Sequence, residues 1–184
     1  MILSLTSRTP RPVDPVCLGK IAWTFGYKGA GSVMLLEKRM KRGEFFPPFL
    51  YISILNSCNL RCQGCWVDVD KPRESLKLDE LNKIVNDAKR HGNAFFGILG
   101  GEPFMHPELF DFLGTHPDCY FQVFTNGQMI TEKAAQTLRK LGNATPLVSV
   151  EGTATVSNER RGGKNVLNRT LRGLQNCLDA KLLT

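Results

Sequence analysis

Apolar runs and amphipathic segments alternate along the chain from about residue 50 onward. Short runs rich in apolar and aromatic residues are typical of strands in a buried sheet. The predicted strands are 50–55, 94–99, 120–124 and 147–150. Because strand and helix alternate, the pattern favours a parallel sheet with right-handed crossovers, which is the α/β fold class.

Helices are predicted in the segments that separate and follow these strands. The first spans about 78–90, and a short second helix begins near Pro107, a favoured residue for the first helical position. The third has Thr131 as its N-cap and ends before Gly142, and the last runs from about 165 to 180. Each longer helix carries apolar side chains at helical spacing, so we expect one face of each to pack on the sheet.

The first 49 residues have a different character. Residues 1–20 are rich in Pro, Ser, Thr and Arg, which predicts an irregular arm. Residues 32–42 predict a helix whose cations gather at its carboxyl end, where the helix dipole favours them. We therefore divide the chain into an N-terminal arm with a basic helix, residues 1–49, and a core, residues 50–184.

Positive charge is concentrated in the amino-terminal segment. The 184-residue chain has a formal net charge of +7. Residues 1–49 hold eight Lys or Arg and three Asp or Glu, whereas residues 50–184 hold sixteen and fourteen. A core this close to neutrality does not present the cationic track that nucleic-acid binding requires, so nucleic acid is not an expected partner.

The basic helix at 32–42 has two interpretations. The favoured one is that it closes the open side or the bottom of the folded core, and the less favoured one is contact with an anionic membrane surface. No run reaches the roughly 20 apolar residues of a spanning helix, and the amino terminus lacks the charge order of a signal peptide. We therefore expect a cytoplasmic protein.

Three cysteines follow the first predicted strand at the spacing C-x3-C-x2-C: Cys58, Cys62 and Cys65. In a reducing compartment such a cluster favours metal ligation over disulfide bonding. Three thiolates bind three corners of a cubic iron–sulfur cluster and leave the fourth iron open to another ligand. The other cysteines are isolated, and we interpret them as buried free thiols: Cys17, Cys119 and Cys177.

A zinc knuckle is the alternative use of these three thiols. Zinc requires four ligands, usually as two separated pairs. A fourth ligand would have to be His91, His106 or His116, and none of them stands at the spacing of a zinc finger. The cysteine spacing and its position after a strand therefore favour the iron–sulfur cluster.

Polar and glycine-rich motifs also follow the other predicted strands. They are Gly100-Gly101-Glu102-Pro103 after the second, Thr125-Asn126-Gly127 after the third, and Ser149-Val150-Glu151-Gly152 after the fourth. Taken alone, the glycine motifs are also compatible with ordinary strand-exit turns. Because parallel strands end at one edge of a sheet, where α/β proteins bind ligands, we expect these motifs to meet the cysteines there.

Together these motifs resemble the radical SAM (S-adenosylmethionine) superfamily. Its signature is C-x3-C-x2-C after the first strand of a partial (β/α)6 TIM-like barrel, with a GGEP-like motif after the second. The resemblance covers roughly residues 50–181 and includes only about four βα units, so the chain looks truncated after the fourth. The residue before the last cysteine, often an aromatic that contacts adenine in this family, is Gly64 here, and Trp66 comes one place later.

The resemblance implies a [4Fe–4S] cluster on the three cysteines and S-adenosylmethionine (SAM) on its open iron through the methionyl amine and carboxylate. It implies reductive cleavage of SAM to a 5′-deoxyadenosyl radical, with an electron donor such as flavodoxin or ferredoxin and an unknown substrate. The residues it implies for SAM binding are Gly100, Gly101, Glu102 and Pro103 near the amine, and Asn126, Ser149 and Glu151 near the ribose. Catalytic residues are not assigned beyond the cluster.

Two alternatives stay open at the level of sequence. Arg160 or Arg161 either pairs with the SAM carboxylate or is a solvated surface arginine. The chain as a whole is either a radical SAM enzyme, or a piece of one, or a non-catalytic iron–sulfur half-barrel. The half-barrel would act as a scaffold or electron relay for a partner.

Overall fold

The computed structural model describes residues 12–184. Its centre is a sheet of four parallel strands in sequential order β1-β2-β3-β4, with helices between them, which confirms the predicted α/β class. The strands are β1 (Leu50–Ser53), β2 (Phe95–Leu99), β3 (Tyr120–Thr125) and β4 (Ala144–Val148). The helices are α1 (Pro15–Ile21), α2 (Gly29–Met40), α3 (Leu78–Arg90), α4 (Leu109–Thr115), α5 (Glu132–Leu141), α6 (Ala154–Arg160) and α7 (Val166–Asp179).

The fourth strand begins and ends earlier than the predicted 147–150, and it includes Pro146. Proline in an apolar run argues against a strand, since it cannot donate a ladder hydrogen bond. Here the Ser149 N–H donates to the Thr125 carbonyl, so the alternation along the strand turns the nitrogen of Pro146 away from β3. Because β3 is the only strand that pairs with β4 in the described sheet, Pro146 removes no ladder bond.

The hydrophobic core lies between the sheet and the helices that cover one of its faces. Phe96 of β2 stacks on Phe121 of β3 with ring centroids 5.7 Å apart, and Phe112 of α4 packs edge-on against Phe121. The predicted buried thiols belong to this core, which confirms their interpretation: Cys17, Cys119 and Cys177.

A long helical rod precedes the sheet, and we use the name N-terminal rod for Pro15–Met40. It consists of α1, a π-helical segment at Ala22–Lys28, and α2, which follow one another without a break. The rod begins well inside the predicted irregular arm, because Asp14 caps it by accepting the Val16 N–H and Pro15 suits the first turn. Residues 1–11 of the predicted arm lie outside the described residues.

The N-terminal rod crosses the amino-terminal edge of the sheet. Phe25 packs on Phe95, the first residue of β2, with ring centroids 4.8 Å apart. The Lys20 ammonium donates to the Leu141 carbonyl at 2.7 Å, just before β4. The rod therefore lies at the edge opposite the ends of the strands that carry the sequence motifs. None of the helices within residues 12–184 combines the length and hydrophobicity needed to cross a bilayer.

Candidate functional site

A cavity of about 650 Å³ opens at the carboxyl edge of the sheet. Its wall includes the three clustered cysteines, the diglycine after β2 and the residues that end β3 and β4. The volume lies in the range of pockets that hold cofactors and small substrates. The lining residues that were predicted to bind the cluster or SAM are Cys58, Cys62, Cys65, Gly100, Gly101, Asn126 and Ser149.

The cysteine loop, which we define as residues 56–66, is held by a segment far along the chain. The Arg61 N–H donates to the Arg161 carbonyl at 3.2 Å, and the Gln63 N–H donates to the Arg160 carbonyl at 2.7 Å. Gly162 completes this contact, since a Cβ there would lie only 2.4 Å from the Arg61 carbonyl oxygen. These contacts fix the backbone between the first and last cysteine before any ligand binds.

The diglycine motif packs directly against the start of the cysteine loop. The Gly101 N–H donates to the Leu55 carbonyl at 2.9 Å, and the Glu102 N–H donates to the Ser57 carbonyl at 2.8 Å. A Cβ on Gly101 would lie 2.1 Å from the Ser57 oxygen, so a larger residue does not fit. The resemblance implied Gly101 for SAM binding, and the structure shows that the absence of a side chain at Gly101 lets the chain's own backbone approach.

Glu102 is fully buried and does not line the cavity. Its carboxylate accepts hydrogen bonds from the Thr125 hydroxyl at 2.7 Å and from the backbone N–H groups of Asn126 at 2.8 Å and Phe104 at 3.1 Å. Burial raises the pKa of this carboxyl, and the three donors act in the opposite direction. Pro103 is also buried away from the cavity wall, so the structure places both residues behind the site rather than in it.

Asn126 links the end of β3 to the cysteine loop. Its side-chain amide donates to the Asn59 side-chain carbonyl at 2.8 Å, and its own side-chain oxygen accepts the Gln128 N–H at 2.9 Å. Asn59 in turn donates to the Gln128 side chain at 3.3 Å. This network leaves Asn126 on the cavity wall in a fixed orientation.

The two arginines before α7 have different positions. Arg161 lines the cavity and its side chain is only 11% exposed, whereas the Arg160 side chain is 60% exposed and does not line it. Both contact Glu151 at 3.3 Å. Glu151 therefore faces the arginines outside the cavity wall, and the structure distinguishes two arginines that the sequence left equivalent.

The thiols of Cys58 and Cys62 have raised pKa values, chiefly because burial disfavours the thiolate. The Leu60 N–H, which donates to the Cys58 sulfur at 3.4 Å, and the positive charge of Arg161 near Cys62 oppose this shift. Metal ligands must be thiolates, so loading of a metal here releases protons.

The donor set suits an iron–sulfur cluster, because the three cysteines line one cavity and cysteine thiolates are the usual ligands of such clusters. Each thiolate of a cubic cluster binds a different iron, so the sulfurs need to face one cavity without meeting at one point. Within residues 12–184, three or more His, Cys, Asp or Glu side chains are not gathered closely enough to hold a single metal ion.

The histidines considered for a zinc knuckle serve other contacts. His106 and His116 are buried, where they bond to the Leu76 carbonyl at 2.8 Å and the Asn82 side-chain oxygen at 2.9 Å. His91 stacks on Phe46 with ring centroids 4.0 Å apart. The cavity wall includes none of these three described histidines.

Sequence reasoning missed several residues of the cavity wall. Arg61 and Asp70 form an ion pair on the loop that forms the rim, where hydrophobic periodicity gives no signal. Phe124 belongs to the predicted strand 120–124 and lines the cavity, because it lies on the sheet face opposite Phe121 and Val123. The period-2 alternation of β3 was the signal that could have found it.

Proteins of known function resemble this chain over part of their length. Fe-coproporphyrin III synthase of Methanosarcina barkeri is 27% identical over 135 residues, which cover 71% of this chain and 34% of that protein. GTP 3′,8-cyclase of Sulfurimonas denitrificans is 31% identical over 142 residues, which cover 71% of this chain and 43% of that protein. The chain thus spans less than half the length of these relatives.

Solved structures show the same fold. Streptococcus suis SuiB bound to S-adenosylmethionine has a TM-score of 0.68 at 22% identity, with 83% of this chain and 36% of that chain covered. HydG, a maturase of the [FeFe]-hydrogenase, has a TM-score of 0.61 at 13% identity, with 92% and 48% covered. A family model described as the Radical SAM superfamily matches residues 52–184. As the motifs suggested, the chain belongs to the radical SAM superfamily.

Proposed function

We propose that this chain is the cofactor-binding part of a radical SAM enzyme. In this proposal Cys58, Cys62 and Cys65 hold a [4Fe–4S] cluster, and SAM occupies the remaining space of the cavity. The observation that carries the proposal is that the three cysteines and the diglycine border one cavity of suitable volume. When bound, the cluster supplies the electron that cleaves SAM to methionine and a 5′-deoxyadenosyl radical.

The chain's own residues would bind and orient SAM. Because the SAM amine donates hydrogen bonds, its partners would be the backbone carbonyl oxygens of Gly100 and Gly101, which line the cavity. The guanidinium of Arg161 is the buried cation on the wall and suits the SAM carboxylate. Trp66, exposed on the same wall, is an aromatic residue available to the adenine.

The ribose would be held from the ends of β3 and β4. Asn126 and Ser149 line the cavity and carry groups that hydrogen-bond to hydroxyls. Glu151 is occupied by two arginines, and Glu102 and Pro103 lie behind the wall, so their proposed task is to hold these loops in place.

The named activities of the relatives support an enzymatic role. GTP 3′,8-cyclase and Fe-coproporphyrin III synthase are enzymes by name, and SuiB has been solved with SAM and with its precursor peptide. The substrate of the present chain is left unassigned, and the electron donor is proposed as a flavodoxin or ferredoxin.

Anaerobic reconstitution with iron and sulfide tests the cluster. We expect brown protein with about four irons per chain, and loss of most of this iron in Cys58→Ser, Cys62→Ser or Cys65→Ser. Cys177→Ala is the matched control, since this thiol is buried in the core away from the cavity. Colourless protein that binds stoichiometric zinc through the same cysteines would contradict the proposal.

Incubation of the reconstituted chain with dithionite and SAM tests the chemistry. Formation of 5′-deoxyadenosine supports the enzyme. A loaded cluster that binds SAM without cleaving it, in this chain and in a longer one, would instead favour the non-catalytic half-barrel.

A further inference from the structure

The N-terminal rod contacts the rest of the protein through Phe25 and Leu35 and through residues that are small or polar. The rod residues that become fully buried are Cys17, Thr24, Gly29 and Ser32. The Ser32 hydroxyl donates to the Gly92 carbonyl at 2.5 Å, at the loop before β2. An amphipathic helix that packs on a core normally buries its large apolar side chains. In this rod the fully buried positions are small or polar instead.

Cations complete the docking of the rod. Lys20, Lys28 and Arg39 donate to the backbone carbonyls of Leu141 at 2.7 Å, Asp118 at 2.9 Å and His91 at 2.9 Å, respectively. Leu141 and His91 stand at the carboxyl ends of α5 and α3, where carbonyls lack helical partners and attract positive charge. Apart from Phe25, which packs on Phe95, the larger aromatic side chains of the rod are not needed for docking.

Large apolar side chains point outward along the whole rod. Trp23 is 56% exposed, Tyr27 is 69% exposed, and Met34 and Met40 are each 59% exposed. Trp23 and Tyr27 stack on one another with ring centroids 4.7 Å apart. Exposed apolar side chains that share one surface mark a site of contact with another protein or with a membrane.

The charge at the end of the rod favours an anionic membrane as the contact. Residues 20–42 contain six Lys or Arg and one acid, Glu37. Lys38, Lys41 and Arg42 are exposed on either side of the exposed Met40. Exposed apolar and aromatic side chains along the rod, followed by exposed cations at its end, are complementary to a bilayer with anionic headgroups.

We propose that the N-terminal rod and its basic end, residues 15–42, lie flat on an anionic membrane surface. Trp23, Tyr27 and Met34 enter the headgroup region, and the cations at the end of the rod bind lipid phosphates. The rod crosses the edge of the sheet opposite the cavity, so the cavity faces away from the membrane. This inference rests on the rod alone and does not depend on the proposed cofactors.

Co-sedimentation of the 184-residue chain with vesicles tests the proposal. We expect binding to mixed phosphatidylcholine–phosphatidylglycerol vesicles and much weaker binding to phosphatidylcholine alone. The triple variant Lys38→Gln/Lys41→Gln/Arg42→Gln should weaken binding about a hundredfold, since each cation near an anionic surface contributes about 1 kcal/mol. The double variant Trp23→Ser/Tyr27→Ser should weaken it as well.

The matched control is Lys83→Gln/Lys133→Gln/Lys140→Gln, which removes the same charge from exposed positions on α3 and α5. Its binding should stay within a few-fold of the wild type. Equal loss in the control, or unchanged binding in both rod variants, would overturn the proposal. A stable dimer that Trp23→Ser/Tyr27→Ser dissociates would assign this surface to a second copy and would also overturn it.

Tryptophan fluorescence gives an independent measurement. The chain has two tryptophans, so Trp66→Phe leaves Trp23 as the reporter. We expect a blue shift and quenching by brominated lipid when phosphatidylglycerol vesicles are added. An emission spectrum that does not change would overturn the proposal.

Discussion

The carboxylate of Glu102 accepts the backbone N–H of Asn126 at 2.8 Å, and through this bond the end of β2 holds the end of β3. The same carboxylate accepts the Thr125 hydroxyl, so two consecutive residues of the third strand-end motif depend on one buried acid. Since Asn126 also bonds to Asn59, the position of the cysteine loop is coupled to Glu102. Glu102 thus organises the site without contacting the cavity.

Glu102→Gln should destabilise the fold by about 1–3 kcal/mol, because an amide nitrogen cannot accept one of the three buried donors. Urea denaturation followed by circular dichroism measures the change. Glu159→Gln, at an exposed carboxylate on α6, should leave the midpoint nearly unchanged. Equal stability of Glu102→Gln and the wild type would show that these hydrogen bonds contribute little.

Gly101→Ala should prevent the diglycine from packing on the cysteine loop, since its Cβ would meet the Ser57 carbonyl oxygen at 2.1 Å. We expect a loss of several kcal/mol or a displaced loop, and iron incorporation well below that of the wild type. Gly31→Ala in α2 is the matched control, because no atom lies within 4 Å of its Cβ position. It should stabilise the helix by about 0.5–1 kcal/mol and leave iron incorporation intact.

Arg161→Gln should lower the reduction potential of the reconstituted protein by tens of millivolts, because a buried positive charge on the cavity wall favours the reduced, more negative cluster. Redox titration followed by electron paramagnetic resonance measures this shift. Arg160→Gln removes the same charge from the neighbouring exposed arginine, which also contacts Glu151, and should shift the potential much less. Similar shifts in the two variants would contradict the assignment of Arg161 to the site.

Stability should fall at alkaline pH through two buried thiols. Burial raises the pKa of Cys119 from 9.0 to about 12 and that of Cys177 from 9.0 to about 11. The folded state therefore retains these protons to a higher pH than the unfolded chain does. The stabilisation they provide is fully present below pH 9 and is lost as the pH rises through the folded-state pKa values.

Between pH 9 and 11, each of these thiols should contribute a decrease of about 1.4 kcal/mol in unfolding free energy per pH unit. The double variant Cys119→Ala/Cys177→Ala should show a correspondingly shallower slope in urea denaturation. Parallel slopes for wild type and variant would show that other groups govern the alkaline transition.

The sheet and the meeting of motifs at one edge were predictable from sequence. The apolar runs that form β2 and β3 are bounded by turn residues, and strand ends of a parallel sheet share an edge, so Cys58 and Gly101 had to approach one another. The burial of Glu102 was not predictable, because a glutamate after two glycines is typical of an exposed turn. Its donors come from β3, and no local pattern reveals a partner so distant in sequence.

Two further features could not be predicted either, because they also depend on contacts between residues distant in sequence. Arg160 and Arg161 are adjacent residues of the same type, so the sequence does not distinguish them. They lie at the end of α6, a short helix that the sequence did not predict, and only Arg161 is buried there. The N-terminal rod carries Trp23 and Tyr27, which hydrophobicity alone would place inside. The side of the rod that faces the core instead carries Lys20 and Ser32, which donate to the carbonyls of Leu141 and Gly92.

The backbone bonds from Arg61 and Gln63 to residues 160–161 have a consequence for biosynthesis. A nascent chain that has left the ribosome only as far as β3 already carries all three clustered cysteines but lacks the segment that orders them. The thiols must therefore wait, without the backbone bonds to residues 160–161, through the translation of roughly a hundred residues, because long-range contacts form only after both partners exist. Iron delivered during that interval would bind to a cysteine loop that is not yet fully ordered. Iron delivered afterwards would bind to a preformed loop.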